Sequence, residues 1–343
     1  MAFGADKQLT SSICAGDVDG DGWNDVVLAN GRHWADQNEI FLNNGEGFFN
    51  SSYDLGTFKS TSYAAEVGDL DGDGDLDIAE GNDEAPNRIY LNDGTGHFSE
   101  AGTFGGAATP TRNLTLADID NDGDLDILVT NRGSKNEICL NDGTGQFMET
   151  IPFGEKNDST IDVECADIDQ DGDLDLVLAN RDGMPNFIYL NDHMTFTSSI
   201  PFGTGTDESR SVKVADMDLD GFPDIVVGNI GEPNRIYYGS AALTFDRMQT
   251  FDSSKSRTFA IDVADFNKDG RPDILVGNSG QPNYVFQAST EDNTYSSVRL
   301  SKQKFDTYDI QFADLNNDAF PDIIEANSEA LNLYYINLLF RNK

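Results

Sequence analysis

Apolar residues along this chain come in short bursts. Runs of four to six β-branched and aromatic residues are bounded by Gly, Asn and Pro, as in "DILVTN" (126–131), "DLVLAN" (175–180), "DIVVGN" (224–229) and "DILVGN" (273–278). Such runs read as strands. No long window carries a helical period. The same order returns around each run. An alternating stretch, such as "RNLTLA" (112–117) or "RSVKVA" (210–215), comes first and is followed by an acidic loop. After the apolar run come a turn rich in Gly, Pro or Asn, then "RIYLND" (88–93) or "FIYLND" (187–192), then a tight turn and a fourth run ending near "FG".

The acidic loop sets the period. "DVDGDGWND" starts at Asp17, "DLDGDGDLD" at Asp69, "DIDNDGDLD" at Asp118, "DIDQDGDLD" at Asp167, "DMDLDGFPD" at Asp216, "DFNKDGRPD" at Asp265 and "DLNNDAFPD" at Asp314. The first step is 52 residues and every later one is 49. A fixed period of this size marks a repeat architecture. Four short strands per repeat, seven times over, predict an all-β, seven-bladed β-propeller with four-stranded antiparallel blades. It would form one domain over 1–343, with approximate blades 9–56, 57–105, 106–154, 155–203, 204–252, 253–301, and 302–343 plus 1–8. Phe104, Phe153, Phe202 and Phe251 each lie 14 residues before the next loop, and so does Phe3. The N-terminal segment is therefore expected to close the ring as a short outer strand of the last blade.

Charge changes the picture next. The chain carries 22 basic and 61 acidic residues, a net −39. That excludes nucleic acid as an expected partner, since phosphate binding needs clustered Lys and Arg. With 38% hydrophobic residues the chain is not a disordered polyanion. Cys14, Cys139 and Cys165 are too few for a disulfide framework and read as buried small hydrophobes. No apolar run reaches the ~18 residues of a membrane span. "MAFGADKQLT" lacks the apolar centre of a signal peptide, so the chain reads as cytosolic or as the mature part of a secreted protein.

Positions 1, 3, 5 and 9 of each loop are oxygen donors, and position 7 offers a backbone carbonyl. The candidate metal ligands are Asp17, Asp19, Asp21, Trp23 and Asp25; Asp69, Asp71, Asp73, Asp75 and Asp77; Asp118, Asp120, Asp122, Asp124 and Asp126; Asp167, Asp169, Asp171, Asp173 and Asp175; Asp216, Asp218, Asp220, Phe222 and Asp224; Asp265, Asn267, Asp269, Arg271 and Asp273; and Asp314, Asn316, Asp318, Phe320 and Asp322. Six or more oxygens in an irregular loop suit Ca²⁺. Up to seven ions are expected, one per blade. The seventh site should be weakest, because it has Asn316 at position 3 and Ala319 where the other loops have a turn glycine. Full occupancy would move the net charge from −39 to −25. The loops are not EF-hands: position 12 is mostly strand interior rather than a bidentate Glu.

On these residues the chain resembles the FG-GAP/VCBS repeat family, the calcium-binding propeller blades also found in integrin α-subunit heads. "FG" survives in "TFGGA", "PFGE" and "PFGT", the "GAP" part is largely absent, and "NRIYLNDGTGHF" is closer to bacterial-type VCBS blades. The resemblance implies calcium-stabilised blades of a kind found in lectins, adhesins and certain polysaccharide lyases. Loops of modest affinity fill where calcium is near millimolar, which points to an extracellular or cell-surface setting.

The face opposite the acidic loops should differ. It gathers Arg32, Arg88, Arg112, Arg132, Lys135, Arg181, Arg210, Arg235 and Arg257, together with an asparagine at one place in every repeat, Asn30 to Asn327. The asparagines read as turn caps and the arginines as partners of nearby acids, or together they form a polar, basic funnel for an anionic or neutral glycan. The longer turn "NGRHWADQN" (30–38) adds His33 and Trp34, either to stack on and act on a sugar or to pack on a neighbouring blade. The candidate ligand-binding residues are Arg32, His33, Trp34, Arg112, Arg132, Arg181, Arg210 and Arg257; His33, Tyr63, Arg112 and Tyr308 are the candidate catalytic ones. His97 and His193 read as solvent-facing. The expected function is a calcium-stabilised, monomeric binding module for a glycan or an extracellular protein. The alternative is a polysaccharide lyase acting on a uronic-acid polymer. Sequons at Asn50, Asn113 and Asn157 fit secretion, with Asn113 doubtful inside an inner strand.

Overall fold

A computed structural model describes residues 1–4, 8–154 and 158–338. Seven four-stranded antiparallel sheets follow one another as blades, and there is no helix among the described residues. The first strands are Thr10–Gly16, Ser62–Gly68, Thr111–Ala117, Thr160–Ala166, Ser209–Ala215, Thr258–Ala264 and Asp306–Ala313. The second strands hold the near-continuous apolar runs, and every residue of Asp126–Asn131 and its six counterparts is buried. Each has a blade packed on either side. Ile89 and Phe104 of blade two meet Leu114, Ile127 and Val129 of blade three in one apolar cluster. Burying Ile127, Leu128 and Val129 contributes about 1.5–3 kcal/mol each.

The ring closes as the sequence predicts. Ala2–Phe3 pairs with Asn332–Tyr335 as the fourth strand of blade seven, with Ala2 opposite Leu333 and Phe3 opposite Asn332. Phe3 is buried, 5.2 Å from the Phe41 ring and 5.3 Å from that of Phe49, so it joins the last blade to the first.

A polar seam reinforces this join. The asparagine at the end of each second strand (one residue before it in the last blade), Asn30 and its six counterparts, is fully buried. Its N–H donates at 2.7–2.8 Å to the Oδ1 of a second asparagine, namely Asn38, Asn87, Asn136, Asn186, Asn234, Asn283 or Asn332. In six of the seven blades that second asparagine donates Nδ2 to a Ser or Thr on the next blade's first strand, ending with Asn332 on Thr10. The repeated asparagines are thus turn caps, with no part in a ligand surface.

Cys14 and Cys139 are buried, Cys165 is half-buried, and all three are free thiols. Asn50 is exposed, whereas Asn113 donates to Asp162 inside the ring; Asn157 lies outside the described residues. No helix among the described residues is long and apolar enough to cross a membrane.

Candidate functional sites: acidic loops and an arginine funnel

The acidic loops fold on their own hydrogen bonds. In loop one the Asp17 carboxylate accepts the N–H groups of Asp21 and Gly22, and Asp21 accepts that of Trp23. The bond from position 7 to the position 5 carboxylate recurs in all seven loops. The varied residues at position 7 are therefore held by backbone. Their side chains go elsewhere, Arg271 to Asn293 and Asp173 to His193, which is otherwise exposed as expected. Two positions per loop, 4 and 6, take a left-handed backbone; Gly22 and Ala319 at position 6 have φ of 90° and 66°. Position 4 escaped the sequence reading because Gly20, Asn121, Leu219 and Lys268 all occupy it.

Position 9 does two jobs. The Asp77 carboxylate is fully buried and accepts the N–H groups of Leu70 and Asn92 at 2.9 and 2.8 Å. Burial raises Asp25 to about 7 and its six counterparts to about 6. In loops one, two, four and five the carboxylates at positions 1, 3 and 9 lie within 4.8 Å of one another; in loop three those of Asp118, Asp120 and Asp122 do. Asp169 Oδ1 and Asp218 Oδ1 are buried without a hydrogen-bond partner. Crowded carboxylates, raised pKa values and orphaned oxygens fit a hard divalent cation. Asn267 and Asn316 leave loops six and seven without such a cluster among the described residues. In loop five the Arg247 guanidinium pairs with Asp218, beside the place a cation would take.

The opposite face is built on a bulge. In every blade the register slips near the start of the first strand, at its second residue in six blades and its third in the last: Ser11, Tyr63, Arg112, Ile161, Arg210, Phe259 and Tyr308. Bulges re-aim side chains. All of these except Ser11 line one cavity of about 300 Å³ on the ring axis, with Arg32, His33, Asp83, Arg132, Arg181, Ile230 and Arg257. All seven blades contribute. Nine of the ten predicted ligand or catalytic residues converge here. Trp34 does not: the residue is 76% exposed, neither lining the cavity nor packed on a neighbouring blade. Arg88 and Arg235 are also outside, since they sit on third strands and pair with Glu100 and Asp207. Lys135 is exposed and lines no part of it.

Acids answer only some of the six arginines. Arg112 pairs with Asp83 at 2.7 Å, Arg132 with Asp182 at 2.9 Å and Arg181 with Glu208 at 3.8 Å. Arg32, Arg210 and Arg257 have no ion pair among the described residues. They lie against rings instead, Arg32 at 3.9 Å over Tyr308, Arg210 and Arg257 at 5.6 and 5.4 Å from Phe259. The Nε atoms of Arg32 and Arg181 are buried without an acceptor. Burial, reinforced by Arg181, pushes Arg210 down to about 10, so it stays charged at neutral pH. His33 Nδ1 is 3.2 Å from Tyr63 Oη, and the Arg112 guanidinium stands 4.4 Å over the Tyr63 ring. Burial and the charges of Arg32 and Arg112 lower the His33 pKa; burial raises that of Tyr63.

Below the funnel the sign reverses. A neck of about 50 Å³, where Arg112 and Arg210 meet Asp162 and Asp309 between Tyr63 and Tyr308, leads to a chamber of about 380 Å³. The chamber wall carries Glu66, Asp162, Glu164, Asp262 and Asp309 against one cation, Lys213, which donates to Glu164 at 3.0 Å. Burial raises Glu66 to about 8.

Solved structures share the fold. Two crystal structures of BBS1N in complex with ARL6DN, soaked with lead and with mercury, superpose with TM-scores of 0.62 and 0.64. Identity is 13% in both; the match covers 100% and 98% of this chain and 94% of the other in each case. No curated protein matches the sequence. The FG-GAP-like repeat matches at residues 17–80, 78–129, 118–178, 167–227, 216–276 and 265–325, so this chain belongs to the FG-GAP-like repeat family.

Proposed function

We propose that this chain is a calcium-stabilised binding module whose funnel takes an anionic ligand, an acidic glycan or the acidic surface of a protein, in an extracellular or cell-surface setting. One observation carries the reading. A chain of net −39 gathers six arginines on one axial cavity and leaves three without an acidic partner among the described residues. Desolvated guanidinium groups of this kind recognise carboxylate and sulfate in bidentate fashion. The BBS1N structures, each a complex with a protein, support a recognition role for this fold. Calcium would be held by the carboxylates at positions 1, 3, 5 and 9 of the loops, most firmly in loops one to five. It supplies the positive charge that the buried acids lack.

A second reading rests on His33, Tyr63 and Arg112. A neutral imidazole beside a phenol that keeps its proton, under a guanidinium, is the set needed for β-elimination from a uronate. His33 takes the proton next to the carboxylate, Arg112 steadies the resulting charge, the bond to the leaving oxygen breaks, and Tyr63 returns a proton to that oxygen.

Calorimetry with a galacturonate trimer in millimolar calcium, read beside ultraviolet absorbance for an unsaturated product, tests both. Saturable heat with flat absorbance is the result expected of the binding module. Rising absorbance assigns the lyase, and the absence of both heat and absorbance across uronate and sulfated oligosaccharides and acidic proteins overturns the anion-binding reading.

A further inference from the structure

The funnel does not run through the ring as a conduit of one sign. Its mouth gathers the arginines, its neck sets Arg112 and Arg210 beside Asp162 and Asp309, and the chamber holds those two acids with three more carboxylates and one lysine. An anionic chain threaded along the axis would leave a favourable potential and enter a repulsive one, in a region where little water screens the charges. The axis is therefore closed to a polyanion electrostatically, and the small neck closes it sterically.

Depth is the second consideration. Arg210 belongs to the bulge tier and lines both the funnel and the neck. No acid pairs with it among the described residues, and its stacking partner is the Phe259 ring. Asp162 and Asp309 line the same neck but form no ion pair with Arg210, so a bidentate partner has to arrive from the mouth. An internal residue of a glycan is tied at both ends to a chain that stays above the mouth, so it offers only a carboxylate protruding sideways. A terminal residue has one linkage and enters ring first. A cavity of about 300 Å³, walled by side chains from all seven blades, suits one such residue rather than an extended segment.

We propose that the funnel is a blind socket for the end of its ligand: one terminal uronate, carboxylate inward on Arg210, with the rest of the glycan leaving through the mouth. This rests on the anion-binding reading above and selects the glycan from it. The acids of the chamber act as a stop. Arg32 and Arg257, both without an ion pair among the described residues, remain for the ring hydroxyls and for a second charge nearer the mouth.

The test is calorimetry at millimolar calcium with four probes: polygalacturonate of known chain length, a galacturonate trimer, a trimer with a neutral hexose at its non-reducing end, and a trimer reduced to the alditol at its other end. End recognition predicts one protein bound per polymer chain whatever the chain length. It also predicts that one end-modified trimer, and not the other, loses at least about tenfold in affinity, the worth of one charge-assisted contact. Arg210→Gln should lose at least about tenfold for the unmodified trimer, while Arg88→Gln, outside the funnel, changes nothing. The melting temperature of each variant reports whether it folds. Binding that scales with polymer length, or two modified trimers as good as the parent, overturns the socket and leaves the anionic funnel standing. Silence from all four probes overturns the socket and removes the glycan reading with it.

Discussion

The two faces of the ring use the repeat in opposite ways. On the loop face the same chemistry recurs seven times: an acid at position 1, an acid at position 9 and a carboxylate holding the N–H of position 7. On the funnel face the same backbone feature recurs, a bulge near the start of each first strand, but the side chains differ: Ser, Tyr, Arg, Ile, Arg, Phe and Tyr. Repeated side chains build the ring, and varied side chains at a repeated backbone place give it an asymmetric site. If that division is right, damage to the loop face costs stability, and damage to the funnel face costs binding.

The largest expected effect is removal of calcium. Each loop filled at about ten times its Kd adds about 1.4 kcal/mol, and five such loops would hold most of a typical domain's stability. Thermal unfolding with EGTA in place of millimolar calcium should show a drop of many degrees. The drop should grow with pH. The position 9 acids have raised pKa values in the fold, so the metal-free fold binds more protons than the unfolded chain between about pH 4 and 7. Its stability falls as pH rises through that window, while calcium binding improves as the same acids ionise. The gap between the calcium and EGTA curves should widen from pH 5 to 7.5 and then level off. A gap independent of pH would remove the position 9 carboxylates from the account.

Asp77→Ala comes next. It leaves the N–H groups of Leu70 and Asn92 buried and unpaired, which costs about 3 kcal/mol even without metal. Chemical denaturation in EGTA measures that part alone. A loss seen only with calcium present would make Asp77 a ligand without a structural role.

The smaller effects belong to the irregular loops. Ala319→Gly relieves a left-handed backbone and should stabilise by about 0.5–1 kcal/mol after the added chain entropy of glycine, seen as a raised denaturation midpoint. Arg247→Ala frees Asp218 and should tighten calcium in loop five by roughly two- to fivefold, the worth of a partly exposed pair. Calorimetric titration with calcium would show a fifth site moving toward the other four, and unchanged binding would mean that Arg247 sits clear of the ion.

The loop face and the closure of the ring were legible because each signal repeats in phase. Seven acidic loops at one period, and Phe3 at the same distance from its loop as Phe104 or Phe251, leave little freedom. The funnel was legible only in part. Tyr63 and Tyr308 stand six residues before their loops, and so do Arg112 and Arg210. That shared offset was the signal for the bulge tier, but it shows no chemical likeness from blade to blade. Trp34, Arg88 and Arg235 were misplaced because composition near a turn does not say which strand a side chain rides on. The second asparagine of the seam was missed because its spacing from the first varies, from Asn82 and Asn87 to Asn30 and Asn38. The acid-lined chamber draws on residues of six separate strands, and no single stretch of sequence displays it.

One measurement tests the account most directly: a crystal structure of the protein grown in millimolar calcium and soaked with galacturonate. The account predicts cations in loops one to five, each among the carboxylates of positions 1, 3, 5 and 9, and a uronate in the funnel with its carboxylate on Arg210. Loops without cations, or galacturonate bound away from the arginines, would contradict it.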